Sequence, residues 1–124
     1  MKRKLLIIDD DSDIKDLIKQ ILSEEEWEIK HATDGFEAGR ILLDYLPDLI
    51  TLDLVMPGMD GFKICQNIRK DPLTKNIKIL TITAHNTPAH KEKIYCMGAD
   101  GCLQKPFSPD ELKIKINEIL KNSN

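Results

Sequence analysis

Cysteine is scarce and poorly spaced for any structural task. The three, Cys65, Cys96 and Cys102, are odd in number and form no Cys-x-x-Cys pair. That argues against a disulfide framework and a zinc site, and it points to a reduced, cytoplasmic setting. Long apolar runs are missing as well. No segment approaches the ~20 residues of a membrane span. The opening MKRKLLIIDDD imitates a leader, but its four aliphatic residues run straight into aspartates, which is too short for a signal peptide. Basic excess is absent, with 18 Lys and Arg against 21 Asp and Glu and a net charge of −3. A nucleic-acid footprint needs a basic face, so no direct contact with nucleic acid is expected, and none with a membrane. Neither GxxxxGK[ST] nor GxGxxG occurs, which removes the common nucleotide-phosphate cradles. Low-complexity tracts and internal repeats are lacking too, and 1–124 reads as a single domain long enough to bury a core.

What the chain does have is alternation. Residues 5–8 (LLII), 49–52 (LITL) and 79–82 (ILTI) are short, mostly aliphatic runs, the pattern of strands covered on both faces of a parallel sheet. Residues 27–32 (WEIKHA) alternate Trp27, Ile29 and His31 with polar neighbours, as an edge strand does, and Trp27 reads as packing at that edge. The weakest strand lies around Cys102 and Leu103. Between the strands run helical stripes: Ile14, Leu17, Ile18, Ile21 and Leu22, then Phe36, Leu42, Leu43 and Leu46 closed by Pro47, then Phe62, Ile64, Cys65 and Ile68. A short fourth helix is expected from Pro88 to before Gly98. Ser108, Pro109 and Glu111 form a capping box for a fifth helix, whose apolar side is Ile114, Ile116, Ile119 and Leu120. Five β-α units with short connections predict an α/β, flavodoxin-like (βα)5 three-layer sandwich around a five-stranded parallel sheet of order 2-1-3-4-5. Strands 1 and 3 then meet at the switch point, where ligands bind beyond the carboxyl ends of strands.

The residues that follow each strand carry the chemistry. Strand 1 ends in Asp9 and Asp10, strand 3 in Asp53, strand 4 in Thr83 and Ala84, and Lys105-Pro106 follows strand 5. Two unit charges about 4 Å apart at an effective dielectric near 20 repel by ~4 kcal/mol. Lys105 offsets only part of that, so three carboxylates there need protonation or a divalent cation. An oxygen-only set suits Mg2+, which keeps some of its waters, with Mn2+ as the alternative ion. Asp11, Ser12 and Asp13 lie at the first turn of a helix and read as capping or solvated groups. Asp60 reads as the cap of the third helix. An EF-hand starting at Asp9 fails, because Ile14 and Gln20 occupy its glycine and glutamate positions. Hydrolases with a nucleophilic aspartate carry a second one two residues on, where this chain has Val55.

The chain resembles the receiver domain of bacterial two-component response regulators. The resemblance rests on LLIIDDD, PDLITLDLVMPGMDGF, ILTITAH and GADGCLQKPF, in combination, and it covers nearly all 124 residues. It implies that Asp53 is the phosphoacceptor, that Asp10 binds Mg2+ directly and Asp9 mainly through water, and that the Val55 backbone carbonyl completes the protein ligands. Thr83 and Lys105 would hold phosphoryl oxygens with Ala84 beside them, and Lys105–Pro106 would be cis. The implied donor is a sensor histidine kinase or histidine phosphotransfer protein. The implied output is a downstream effector docking on the face of the fourth helix, fifth strand and fifth helix, with a homodimer through Tyr95 and the last helix left open. The protein would be a phosphoacceptor that assists its own phosphorylation and dephosphorylation, not a turnover enzyme. The alternative is a phosphorylation-independent interaction module of the same fold. One departure stands out: the family's switch aromatic, three residues before the lysine, is Cys102, read as a packing residue. Val55 and His85 occupy the positions that tune phosphoryl lifetime, with apolar Val55 favouring a long one and His85 reading as a solvated loop residue.

Overall fold

The computed structural model describes residues 2–56, 59–84 and 98–121, with the backbone alone for 55, 56 and 59. Five strands form one parallel sheet: β1 (Arg3–Ile8), β2 (Trp27–Ala32), β3 (Leu49–Leu52), β4 (Lys78–Thr83) and β5 (Gly101–Gln104), in the order β2-β1-β3-β4-β5. Leu5 to Ile8 and Leu49 to Leu52 are buried without a break, because helices cover both faces of the central strands. At the edges burial alternates, as in β2, or falters, as in β5.

Four helices lie among the described residues: α1 (Ser12–Ile21), α2 (Gly35–Tyr45), α3 (Gly61–Lys70) and a C-terminal helix (Pro109–Lys121). The pleat of β1 divides the core in two. Leu6 and Ile8 pack with Ala38 and Leu42 of α2 and with Cys65 and Ile68 of α3. Leu5 and Ile7 pack with Ile18 and Ile21 of α1 and with Leu112, Ile116 and Ile119 of the C-terminal helix. That makes three layers, the flavodoxin-like arrangement expected from the sequence. The helix expected between Pro88 and Gly98 falls outside the described residues, as do His85, Tyr95 and Cys96. No described helix is long and apolar enough to cross a membrane.

Local chemistry explains where the helices start. Asp11 caps α1 by accepting the Asp13 N–H at 2.9 Å. Asp60 caps α3 from Phe62 and Lys63. Ser108 and Glu111 exchange the two bonds of the capping box, at 3.1 and 2.9 Å. Helix α2 ends on Leu46, whose left-handed backbone (φ 47°) hands its N–H to Leu42 before Pro47.

Two helix faces differ from the sequence reading. In α2 the inward stripe is Ala38, Leu42 and Tyr45, while Phe36 is 85% exposed and Leu43 and Leu46 are about half exposed. Tyr45 wins the inward place because its ring carries a polar end. The hydroxyl donates to the Glu28 carbonyl at 2.8 Å, and the Lys4 and Lys30 ammonium groups sit 5.3 and 4.7 Å from the ring centre. In the C-terminal helix Leu112 is fully buried and Ile114 faces outward, so the core stripe is Leu112, Ile116 and Ile119.

Candidate functional site

Backbone hydrogen bonds bring the acids together. The Asp9 N–H donates to the Ala32 carbonyl at 3.1 Å, and the Asp53 N–H donates to the Ile8 carbonyl at 3.0 Å. Each bond extends the sheet by one rung past the strand end, so Asp9 and Asp53 leave neighbouring strands at the same height. On the far side the Lys105 N–H donates to the Thr83 carbonyl at 3.0 Å, which fixes the chain after β5 against the end of β4. Thr83 is fully buried, Ala84 is exposed, and the Lys105–Pro106 peptide is cis.

The side chains follow. Oxygens of Asp9, Asp10 and Asp53 lie within 4.8 Å of one another. Asp9 and Asp53 are buried, 2% and 6% exposed, whereas Asp10 faces solvent. The Lys105 ammonium bridges the two buried acids, 3.1 Å from Asp9 Oδ2 and 3.5 Å from Asp53 Oδ2. The other Asp9 oxygen accepts the Asp11 N–H at 2.9 Å. The Asp10 carboxylate has no hydrogen-bond or ion-pair partner among the described residues.

Electrostatics then show a shortage of positive charge. Burial raises the Asp9 carboxyl above its ordinary range, against the lowering pull of the Asp11 amide and Lys105, and nearby Asp53 adds to the rise. Burial pulls the Lys105 ammonium down, but Asp9 and Asp53 together outweigh it and leave Lys105 raised. One cation shared by two acids is doubly held, while each acid has only a share of the cation. An oxygen-only donor set within 4.8 Å fits a hard divalent ion such as Mg2+ that keeps some of its waters.

The segment after Asp53 is folded tightly beside this cluster. Residues Val55–Met56 pair antiparallel with Met59–Asp60, and α3 starts immediately after. A Cβ on Gly61 would lie 2.6 Å from the Leu54 Cα and 2.8 Å from the Asp53 carbonyl oxygen. Gly61 is therefore required for close approach to the Asp53–Leu54 backbone. Cys102 is half-buried and packs on the core, as its sequence reading anticipated. The sequence marks His31 only as a residue of the edge strand. The structure puts its ring against Asp9, with Nε2 2.8 Å from the Asp9 carbonyl oxygen. Its place one residue before the end of the strand beside the acids was the available signal.

Comparison with known proteins agrees with this geometry. Residues 5–117 match the response regulator receiver domain family. The DNA-binding dual master transcriptional regulator RpaA of Synechocystis is 36% identical over 120 residues, covering 97% of this chain and 50% of RpaA. The phosphate regulon transcriptional regulatory protein PhoB of Pseudomonas aeruginosa is 32% identical over 121 residues, covering 98% of this chain and 53% of PhoB. The chain thus spans about half the length of the curated relatives it matches. Among solved structures, a signal receiver domain of a DNA-binding response regulator protein from Colwellia psychrerythraea superposes with a TM-score of 0.89 at 35% identity, covering 98% of this chain and all of that one. The chemotaxis protein CheY4 of Vibrio cholerae gives 0.89 at 30% identity, with 96% and 99% covered. The expectation of no nucleic-acid contact gains no support here, since RpaA is DNA-binding by name. With its site, sheet order and family match in agreement, the chain belongs to the response regulator receiver domains of two-component signalling.

Proposed function

We propose that the protein takes a phosphoryl group from a sensor histidine kinase or histidine phosphotransfer protein onto Asp53, with Mg2+ held by Asp9, Asp10, Asp53 and the Val55 carbonyl. The observation that carries this reading is the Lys105 bridge between two buried acids, with a third carboxylate inside 4.8 Å. An Asp53 carboxylate oxygen forms the new P–O bond as the P–N bond to the donor histidine breaks, and the electron pair leaves with the imidazole nitrogen. The Lys105 ammonium, already 3.5 Å from Asp53 Oδ2, is placed to donate to a phosphoryl oxygen. The hydroxyl of Thr83 takes another, beside Ala84. Bound there, Mg2+ supplies the charge that two buried acids and one lysine leave unbalanced. Water later cleaves the acyl phosphate, so the domain is a phosphorylated substrate that supplies much of its own catalysis rather than a turnover enzyme.

Output is proposed to run through the face of the fourth helix, β5 and the C-terminal helix, with Cys102 filling the switch position without an aromatic ring. The setting is cytoplasmic, and the phosphoryl group is long-lived because Val55 offers no polar atom to orient water. A Val55→Asn variant should lose label several-fold faster, and an unchanged decay removes Val55 from the account. The rival reading, a phosphorylation-independent interaction module, gives the lysine-bridged acids no task. Acetyl phosphate with Mg2+ separates the two. A phosphoryl mass increment that Asp53→Asn abolishes supports phosphotransfer, and an unmodified native protein overturns it.

A further inference from the structure

The pairing of β1 with β2 ends at Ile8 and Ala32, and the last backbone bond between them is from Asp9 N–H to the Ala32 carbonyl. The strand stops there, yet the Asp9 carbonyl is not left bare. His31, one residue back on the same edge strand, reaches it with Nε2 at 2.8 Å. A carbonyl only accepts, so Nε2 carries the proton and donates. The ring thus continues the ladder by one step with a side chain in place of a backbone amide.

Every polar group of Asp9 is then held: its N–H by Ala32, its carbonyl by His31, one carboxylate oxygen by the Asp11 amide and the other by Lys105. Asp10 is the opposite case, exposed and with a carboxylate that has no partner among the described residues. What directs Asp10 is the peptide plane it shares with Asp9, and that plane carries the carbonyl gripped by His31. We propose that His31 is a positioning residue, setting the Asp9–Asp10 peptide so that the Asp10 carboxylate is aimed at the cation site before an ion arrives. Groups that orient ligands in this way commonly change metal affinity when removed. The proposal rests on the Mg2+ reading above and adds to it a residue from a strand that supplies none of the proposed ligands.

The test uses His31→Phe, which keeps a flat ring and loses the donor, and His31→Gln, whose amide N–H restores one. Two readouts are needed. In metal-free protein, exchange of the Asp11 amide, which donates to the Asp9 carboxylate, should quicken several-fold in the Phe variant, while Leu5 to Ile8 keep native protection and the unfolding midpoint stays close to native. By titration calorimetry, Mg2+ affinity should fall about fivefold in the Phe variant, the loss expected for one hydrogen bond, and return toward native in the Gln variant. Native exchange and native affinity in the Phe variant overturn the positioning role. Faster exchange throughout β1 also overturns it, because His31 would then be a general strand support. A native protein that takes up no Mg2+ sinks the metal reading instead, and the exchange comparison still decides the place of His31.

Discussion

Two charged clusters sit at opposite ends of the same sheet. At the amino ends of β4 and β5, Asp100 accepts from Arg69 Nη2 and from the Ile79 N–H, each at 2.8 Å, with Lys78 3.9 Å away. Arg69 spends its other donors on the carbonyls of Gly98, Lys75 and Ile77. One carboxylate there faces two cations and an amide. At the carboxyl end, among the described residues, three carboxylates face one lysine. The first cluster is saturated and ties α3 to the starts of two strands; the second is left short of positive charge. Balance, more than acidity, separates the structural cluster from the one able to bind.

The contrast can be broken by substitution, starting where the effect is largest. Arg69→Ala should cost about 2–3 kcal/mol, the price of stranding several carbonyls and a carboxylate, and urea unfolding measures it. The folded variant should still take phosphate from acetyl phosphate at close to the native rate. A stable variant with crippled uptake would merge the two clusters into one system. Gly61→Ala acts at the other end. Its methyl must push back the Asp53–Leu54 backbone, costing about 1–3 kcal/mol, and uptake at Asp53 should slow by more than the folded fraction explains. Uptake in proportion to folding would show that Asp53 tolerates the shift.

The smallest effect is a pH signature of the deficit. The folded Asp9 carboxyl titrates above its ordinary 3.8, chiefly through burial. Its contribution to stability is therefore complete below that ordinary value and is lost as pH rises through the raised one. In metal-free protein at neutral pH the ionised group weighs against the fold. Asp9→Asn should then melt above native in chelator at pH 7, and the difference should shrink toward pH 4. A difference independent of pH would contradict the charge argument.

Much of this was legible in the chain. LLII, LITL and ILTI gave the central strands, because strands covered on both faces need apolar side chains at every position. The acids were legible because the parallel topology sends every strand's carboxyl end to one crevice. The face of α2 was not. Of the expected stripe Phe36, Leu42, Leu43 and Leu46 only Leu42 is buried, because Tyr45 gains a hydrogen bond and two cations by turning inward, and those partners come from β1 and β2. Arg69 and Asp100 are 31 residues apart, so nothing local marks them as a pair. His31 hid for a similar reason: an alternating edge strand tells which way a side chain points, not which carbonyl it meets.

The central claim is that the carboxyl-end cluster lacks positive charge and a divalent ion supplies it. Calorimetric titration of the native protein with Mg2+ tests this most directly. Saturable uptake in the millimolar range is predicted, with Asp10→Asn at least tenfold weaker and Asp100→Asn close to native where it folds. No uptake, or equal losses from Asp10→Asn and Asp100→Asn, would contradict it.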